Sequence, residues 1–389
     1  MENGKVADAT RIAASIPTLR YLLESGAKKI ILISHLGRPD GEKKENLSLK
    51  PVSDELEKIM GEPVRFISEC VGDEVIRECS EAPERLILLE NLRFHVEEEG
   101  KCKRKDGTSI TATEENQEKF RSSLSKMGEI YVNDAFGTVH RAHSSISGIS
   151  IEPRVAGLLV KKELSFFSKA LEGPEKIHTL ILGGAKISDK ILLVENMLSR
   201  VENIIIGGGM AFTFLKVLHG MDIGKSLYDE KGAELVSNIM KKAEECNVTI
   251  HLPVDFVEGS EFSETAQHRV TENSIDPNWM GLDIGPKSCE KFVHVLKNAS
   301  SGRVILWNGP MGVFEWDNFA CGTLAVLKAV VDATEKGCIT IVGGGDSAAA
   351  VSKWHCDTKV SHVSTGGGAS LELLEGKSRI KICTNLSNF

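Results

Sequence analysis

The segment 338–350, with the sequence CITIVGGGDSAAA, most constrains the fold of this chain. Residues 339–342 are apolar and rich in β-branched side chains, which is typical of a strand buried on both faces. Three glycines follow, and then Asp346, Ser347 and three alanines begin a helix. Because a helix N-terminus offers unpaired N–H groups and glycine lets a ligand approach the backbone, this junction predicts a phosphate site. The Asp346 carboxylate could hold a magnesium ion against that phosphate.

The same kind of junction recurs through the second half of the chain. Five of six apolar runs have a glycine at or just after the end of the predicted strand. These runs lie at residues 179–190, 203–214, 249–256, 303–314, 338–350 and 360–375. One such junction is more often a tight turn, but six of one kind favour a phosphate-rich ligand such as a nucleotide.

The first half shows the same alternation of strands and helices, but its predicted strands end in charged residues. Apolar runs lie at 29–39, 85–94 and 130–145, and helical patterns lie at 11–24, 51–60 and 114–127. This alternation predicts parallel α/β sheets with functional groups at the carboxyl ends of the strands. A further helix over 158–171, stopped by Gly173 and Pro174, is interpreted as a connector between domains, although a plain core helix fits nearly as well.

Length and composition exclude several classes of protein. At roughly 150 residues per domain, a chain of 389 residues contains two or three domains. A net charge of −8 argues against a nucleic-acid-binding protein, and nine cysteines without a CxxC pair suit a reducing compartment. No apolar run approaches the roughly 20 residues of a membrane helix, and no signal peptide is apparent. A cytoplasmic enzyme without nucleic-acid or membrane partners is the expectation.

The two halves carry different charged residues. The first half offers four arginines and two histidines near predicted strand ends or helix starts, namely Arg11, Arg38, Arg93, Arg141, His35 and His140. Since arginine binds carboxylate and phosphate through paired hydrogen bonds, this set fits a small, multiply anionic substrate. The alternative is that each arginine pairs with a local acid.

The second half offers Lys186 and Lys190, which we expect to lie in the first turn of a helix and to reach one ligand. Neither GxxxxGK[ST] nor GxGxxG occurs in the chain. A P-loop protein and a dehydrogenase are therefore disfavoured, and a generic nucleotide-sugar or dinucleotide enzyme is only a weak alternative.

Seven motifs resemble those of the phosphoglycerate kinase family, in its order and spacing across about residues 3–376. They are HLGRP (35–39), ENLRF (90–94), NDAFGTVHRAHSS (133–145), GGAKISDK (183–190), WNGPMGVFEW (307–316), GGGDS (343–347) and SHVSTGGGASLELLEG (361–376). The resemblance implies an α/β fold with two Rossmann-like, doubly wound parallel-sheet domains joined by a helix and hinge. The implied divisions are a phosphoglycerate-binding domain (1–157), an interdomain helix (158–174), a nucleotide-binding domain (175–370) and a C-terminal segment returning toward the first domain (371–389).

The resemblance also implies roles for individual residues. Arg11 and Lys186 are the expected catalytic residues, and Arg11 would stabilise the transferring phosphoryl group. The triose would be bound by Arg11, His35, Arg38, Arg93, His140 and Arg141. Lys186 and Lys190 would guide the nucleotide's phosphates, Asp346 would bind Mg²⁺, Gly344, Gly345 and Ser347 would form the phosphate loop, and Glu315 would contact the ribose. The adenine slot would be formed by Gly184, Ala185, Leu227, Phe262, Gly281, Pro310 and Val313. The implied reaction of this monomeric, glycolytic kinase is 1,3-bisphosphoglycerate plus ADP giving 3-phosphoglycerate and ATP, with Mg²⁺ and with domain closure.

Two parts of the chain depart from the family's pattern. The family has a first strand with a VDFN-type motif, and here Met1 falls in the loop that would follow it. After Gly376 comes KSRIKICTNLSNF in place of the usual proline-containing return segment. We therefore expect a less stable first domain and little kinase activity. The alternative to an active kinase is a catalytically impaired nucleotide-binding protein or an incomplete gene product.

Overall fold

The computed structural model describes residues 4–104 and 106–376. These residues form two compact units, the first extending to Lys162 and the second beginning at Glu163. The division falls inside a helix that runs from Leu158 to Glu172. The domain limits expected from the sequence remain a proposal, and the expected C-terminal return segment lies beyond the described residues from position 377 onward.

The first unit contains seven strands and six helices among its described residues. The strands are β1 (Ile30–Leu32), β2 (Val64–Ile67), β3 (Leu86–Leu89), β4 (Lys101–Lys103), β5 (Ser109–Thr111), β6 (Tyr131–Asn133) and β7 (Arg154–Ala156). The helices are α1 (Thr10–Glu24), α2 (Lys50–Met60), α3 (Asp73–Glu81), α4 (Val96–Glu99), α5 (Glu114–Ser125) and α6 (Ser144–Ser147). Short 3₁₀ helices cover Glu45–Leu47, Leu92–Phe94 and Phe136–Thr138.

A three-stranded parallel sheet in the order β1-β3-β2 organises this unit. All four residues of β3 are buried, because hydrophobic side chains cover both faces of the sheet. Leu19 and Leu56 of α1 and α2 pack on one side, whereas Val75 and Phe120 of α3 and α5 pack on the other. Strands β6 and β7 form a separate parallel pair, and β4 and β5 form an antiparallel hairpin.

The second unit begins within α7 (Leu158–Glu172) and contains the remaining elements. Its strands are β8 (Ile177–Leu182), β9 (Val201–Ile206), β10 (Thr249–His251), β11 (Asp255–Gly259), β12 (His268–Glu272), β13 (Met280–Ile284), β14 (Val304–Asn308), β15 (Ile339–Gly343) and β16 (His362–Val363). Its helices are α8 (Ile191–Met197), α9 (Met210–His219), α10 (Glu230–Glu245), α11 (Pro286–Lys297), α12 (Cys321–Glu335), α13 (Gly345–Lys353) and α14 (Gly368–Leu374), with a 3₁₀ turn at Asp317–Phe319.

A six-stranded sheet in the order β10-β9-β8-β14-β15-β16 forms the core of this unit, and all its pairings are parallel. Counted along the chain, this is the order 3-2-1-4-5-6 of a doubly wound, Rossmann-like sheet. The strand order reverses between β8 and β14, and ligands of such sheets bind outside the carboxyl ends of the strands at this switch point. The predicted fold class is therefore confirmed.

The sequence pattern locates four helices within two residues. The helices expected at 11–24, 51–60, 114–127 and 158–171 are α1, α2, α5 and α7. The sequence analysis does not predict the antiparallel sheet β12-β11-β13, and only the first two residues of β11 fall within the apolar run at 249–256. None of the helices within the described residues is both long enough and apolar enough to cross a membrane.

Candidate functional site

Two glycine loops meet at the switch point of the six-stranded sheet. Gly183 follows β8, and Gly309, whose φ is +105°, follows β14. A Cβ atom on Gly183 would lie 1.9 Å from the carbonyl oxygen of Pro310, and one on Gly309 would lie 2.4 Å from that of Gly183. The Gly184 N–H donates to the Pro310 carbonyl at 3.1 Å. The two loops are therefore in backbone contact that only glycine permits.

Lys190 lies directly against these loops. Its Nζ donates to the carbonyl oxygens of Gly183, at 2.7 Å, and Asn308, at 2.8 Å. Burial lowers the pKa of Lys190 to about 8, although the negative charge of Asp346 opposes this shift. The prediction that Lys186 and Lys190 share the first turn of a helix is wrong, because α8 begins only at Ile191. Lys186 is instead exposed in the preceding loop, while the Lys190 ammonium is held by two carbonyls.

The loop after β15 leads into α13. Gly344 adopts a φ of +92°, and no heavy atom lies within 4 Å of the position that a Cβ atom on Gly345 would take. Asp346 is exposed in the first turn of the helix. Ser347 is fully buried, and its Oγ accepts a hydrogen bond from the Gly309 N–H at 2.6 Å. Gly344, Gly345 and Asp346 therefore remain available to a ligand, while Ser347 joins two loops.

The Asp346 carboxylate suits a magnesium ion that arrives with a nucleotide. Mg²⁺ prefers oxygen ligands and usually keeps several waters, so one or two carboxylates together with phosphate oxygens suffice to hold it. An exposed carboxylate beside an open glycine and a helix N-terminus meets this requirement.

The residues expected to contact the base lie around the carboxyl end of the sheet. The Gly281 N–H donates to Ser226 Oγ at 2.8 Å, which places Leu227 beside Gly281, and the Val313 N–H donates to the carbonyl of Leu282 at 2.9 Å. Leu227 and Phe262 are 55% and 65% exposed, which is unusual for large apolar side chains. The Phe262 ring packs on Trp316, with centroids 4.7 Å apart, and Ala185 and Glu315 are exposed.

The cationic residues of the first unit lie within electrostatic reach of one another. His35 is surrounded by the positive charges of Arg93, Arg141 and Arg11, and burial together with these charges lowers the pKa of His35 to about 4. The imidazole is therefore neutral near pH 7. Arg38 and Arg141 in turn act on Arg93, whose pKa is lowered mainly by burial.

Acidic partners are few in this cluster. Arg93 pairs with Glu99 at 3.1 Å and donates to the carbonyl of Gly37 at 2.9 Å. Arg11, Arg38 and Arg141 form no ion pair with an acid within residues 4–104 and 106–376. The alternative of local pairing therefore holds for Arg93 alone. His140 lies beside Arg141, with 3.4 Å between its Nε2 and the arginine Nε.

Sequence reasoning missed His143 as a member of this cluster. Its side chain is largely buried, its nitrogens lie 3.6–3.7 Å from Glu98 and Glu99, and burial with Arg93 and Arg141 lowers its pKa to about 4. The spacing of three residues from His140 was the available signal.

Asp134 has a structural role and not a place in the cationic cluster. It ends a predicted strand among these residues, yet its carboxylate accepts hydrogen bonds from Thr18 Oγ1 and from the N–H groups of Leu159 and Val160. It therefore caps the beginning of α7.

Comparisons with known proteins agree with this arrangement. The family model described as phosphoglycerate kinase matches residues 1–377. Phosphoglycerate kinase of Schistosoma mansoni is 54% identical over 380 residues, which cover 97% of this chain and 91% of that protein. Phosphoglycerate kinase 2 of Homo sapiens is 54% identical over 381 residues, with the same coverage.

Solved structures agree as well. Phosphoglycerate kinase from Coxiella burnetii superposes with a TM-score of 0.81 at 36% identity, covering 98% of this chain and 92% of that one. The enzyme from Pyrococcus horikoshii gives a TM-score of 0.80 at 31% identity, covering 99% and 93%. The motifs, the doubly wound sheet and these matches together show that the chain belongs to the phosphoglycerate kinase family.

Proposed function

We propose that this chain transfers a phosphoryl group from the acyl phosphate of 1,3-bisphosphoglycerate to ADP, giving 3-phosphoglycerate and ATP. The observation that carries the proposal is the cationic cluster of the first unit, where Arg11, Arg38 and Arg141 form no ion pair with an acid among the described residues. All three side chains are exposed, so their guanidinium groups are free to bind an anionic substrate from solution. Membership of the family supports phosphoryl transfer as the reaction.

The triose would be held by this cluster. Arg38, Arg93 and Arg141 would bind its phosphate and carboxylate oxygens through paired hydrogen bonds. His35, neutral near pH 7, would act as a hydrogen-bonding group and not as a cation. His140 would contribute a further ring nitrogen next to Arg141.

The nucleotide would bind at the switch point of the six-stranded sheet as its magnesium complex. Its phosphates would lie against Gly344 and Gly345 at the N-terminus of α13, with Asp346 as a ligand of the magnesium ion. Lys190 would hold the loop after β8 through the Gly183 carbonyl and add positive charge near the phosphates. The exposed Lys186 would reach the phosphates directly. The base would pack among the adenine-slot residues, which are Gly184, Ala185, Leu227, Phe262, Gly281, Pro310 and Val313. Glu315 would contact the ribose.

Transfer between these two sites needs positioning and positive charge more than covalent chemistry. Arg11 and Lys186 would stabilise the phosphoryl group while it moves between the oxygens. We propose that the two units close over both substrates and exclude water during this step. We propose that the chain acts as a monomer in the cytoplasm.

A coupled ATP-forming assay on the full chain, with 1,3-bisphosphoglycerate and ADP, tests the proposal. We expect magnesium-dependent turnover that Asp346→Ala strongly reduces. Asp357→Ala, which removes another exposed carboxylate of the same unit, is the matched control and should leave turnover unchanged. Nucleotide binding without any phosphoryl transfer would favour the nucleotide-binding alternative. Absence of both would contradict the proposed function.

A further inference from the structure

Glu69, Cys70 and His95 form a compact cluster within the first unit. Their ligand atoms all lie within 4.8 Å of one another, and His95 Nε2 is 2.7 Å from Glu69 Oε1. Glu69 and Cys70 follow β2, while His95 follows the 3₁₀ turn after β3. Because β2 and β3 are parallel neighbours, their carboxyl ends bring these three residues to one edge of the sheet.

The three side chains are of different kinds, and together they match one class of ion. Carboxylate, thiolate and imidazole are the usual ligands of zinc, and the thiolate in particular discriminates against magnesium and calcium. We propose that Glu69, Cys70 and His95 form a binding site for a thiophilic divalent transition-metal ion such as Zn²⁺. Binding forms a metal–sulfur bond and releases the thiol proton of Cys70 to solvent.

Burial and negative charge act in opposite senses at the sulfur of Cys70. Burial opposes a charge at this position, whereas the negative charges of Glu69, Glu98 and Glu90 attract a cation to it. Lys43 is the opposing positive charge, and its Nζ donates to the neighbouring carbonyl of Ser68. The Lys43 ammonium weakens the long-range attraction of cations to this cluster. Affinity must therefore come from the bonds of the metal ion to the sulfur and the nitrogen, so Mg²⁺ and Ca²⁺ should bind poorly.

Small adjustments complete the coordination. Ligand–metal distances of about 2.0–2.3 Å require the carboxylate and the imidazole to separate slightly and the sulfur to move closer. Glu69 is about half-exposed, and its Oε1 accepts a hydrogen bond from the Cys70 N–H at 2.7 Å and lies beside His95 Nε2, so a metal ion would replace the contact with His95. His95 also lines an open groove between α3 and α5, with Ile76 and Phe120 among the lining residues, and both His95 and Glu69 are partly exposed to solvent.

Cobalt titration of the full chain under reducing conditions tests the site, because Co²⁺ bound to a thiolate gives a near-ultraviolet charge-transfer band. We expect one equivalent to produce this band together with the visible spectrum of four-coordinate cobalt. Added Zn²⁺ should abolish both features, whereas Mg²⁺ should not. Cys70→Ser should remove the band, and Cys79→Ser, which alters another buried cysteine of the same core, should retain it.

Partly exposed ligands provide variants with less risk to folding. His95→Gln and Glu69→Gln should each weaken cobalt affinity at least about tenfold while circular dichroism stays unchanged. A wild-type chain without the charge-transfer band, or a band that persists in Cys70→Ser, would overturn the proposal. So would equal loss of the band in Cys79→Ser. These outcomes do not depend on turnover, so they are independent of the proposed kinase function.

Discussion

Ser347 Oγ accepts a hydrogen bond from the Gly309 N–H at 2.6 Å, and both residues are buried. This bond joins the first turn of α13 to the loop after β14 at the switch point of the sheet. The serine expected from the resemblance to contact phosphate therefore also fixes the two loops relative to each other.

Ser347→Ala should accordingly weaken nucleotide binding and leave the affinity for 3-phosphoglycerate unchanged. Losing the acceptor leaves the buried Gly309 N–H unpaired, at a cost of about 1–3 kcal/mol. We expect a lower free energy of unfolding and at least about fivefold weaker Mg-ATP binding, measured by denaturation and calorimetry. Ser352→Ala, at an exposed serine of the same helix, is the control. Unchanged nucleotide affinity in a destabilised Ser347→Ala variant would mean that the loops do not depend on this bond.

Lys190 should make stability and nucleotide affinity respond to pH in opposite directions. Its pKa is about 8 in the folded chain and 10.5 ordinarily. At pH values between these two pKa values, Lys190 binds more protons in the unfolded chain than in the folded chain. The contribution of Lys190 to the free energy of unfolding therefore rises with pH, by on the order of 2 kcal/mol. Mg-ATP affinity should fall over the same range, because the neutral amine attracts phosphate less strongly.

Denaturant titrations at pH 7.5 and 9.5 would measure this contribution as the difference between wild type and Lys190→Met. Lys186→Met removes an exposed ammonium, and its free energy of unfolding should change with pH as that of the wild type does. Identical pH dependence in wild type and Lys190→Met would show that the Lys190 pKa is not lowered on folding.

Arg38→Ala should weaken 3-phosphoglycerate binding at least about tenfold, because a hydrogen bond to a charged group contributes about 1.5–3 kcal/mol. Nucleotide affinity should be nearly unchanged, since the switch-point loops belong to the other unit. Arg65→Ala is the matched control, as Arg65 is exposed in the same unit but lies 4.0 Å from Glu78. Calorimetry would decide, and equal effects of the two variants on 3-phosphoglycerate binding would rule out a specific role for Arg38.

Arg11→Ala should depress turnover more than substrate affinity. Arg11 is exposed at the beginning of α1 and lies within electrostatic reach of His35. If its charge matters most while the phosphoryl group is in transit, kcat should fall roughly 100-fold or more with little change in KM. Arg20→Ala on the same helix should behave as wild type. A change confined to KM would reassign Arg11 to ground-state binding.

Hydrogen exchange should distinguish the two sheets. Among the described strands β1 pairs only with β3, whereas β14 is hydrogen-bonded to both β8 and β15. We expect amides of Ile305 and Leu306 to exchange at least about tenfold more slowly than those of Ile31 and Leu32. Mass spectrometry of peptides from the native chain would measure this, and equal protection would indicate that the β1 edge is covered.

Local patterns were enough to predict much of this protein. The apolar run followed by glycines at 338–350 indicated β15 and α13, and its repetition indicated the six strands of the parallel sheet. These features are readable because the apolar pattern of a strand and the signals of a helix N-terminus consist of consecutive residues. Motif order was also sufficient to indicate the family, which the comparisons confirmed.

Tertiary structure decided what each side chain contacts. No local pattern shows that Lys190 binds the carbonyls of Gly183 and Asn308, or that Asp134 caps α7. The sheet order 3-2-1-4-5-6, which brings Gly183 against Pro310, likewise depends on pairing between distant strands. Burial and charge at a site are set by residues far away in sequence, so the sequence alone determined the kinds of groups and the fold class, and packing determined their protonation and their partners.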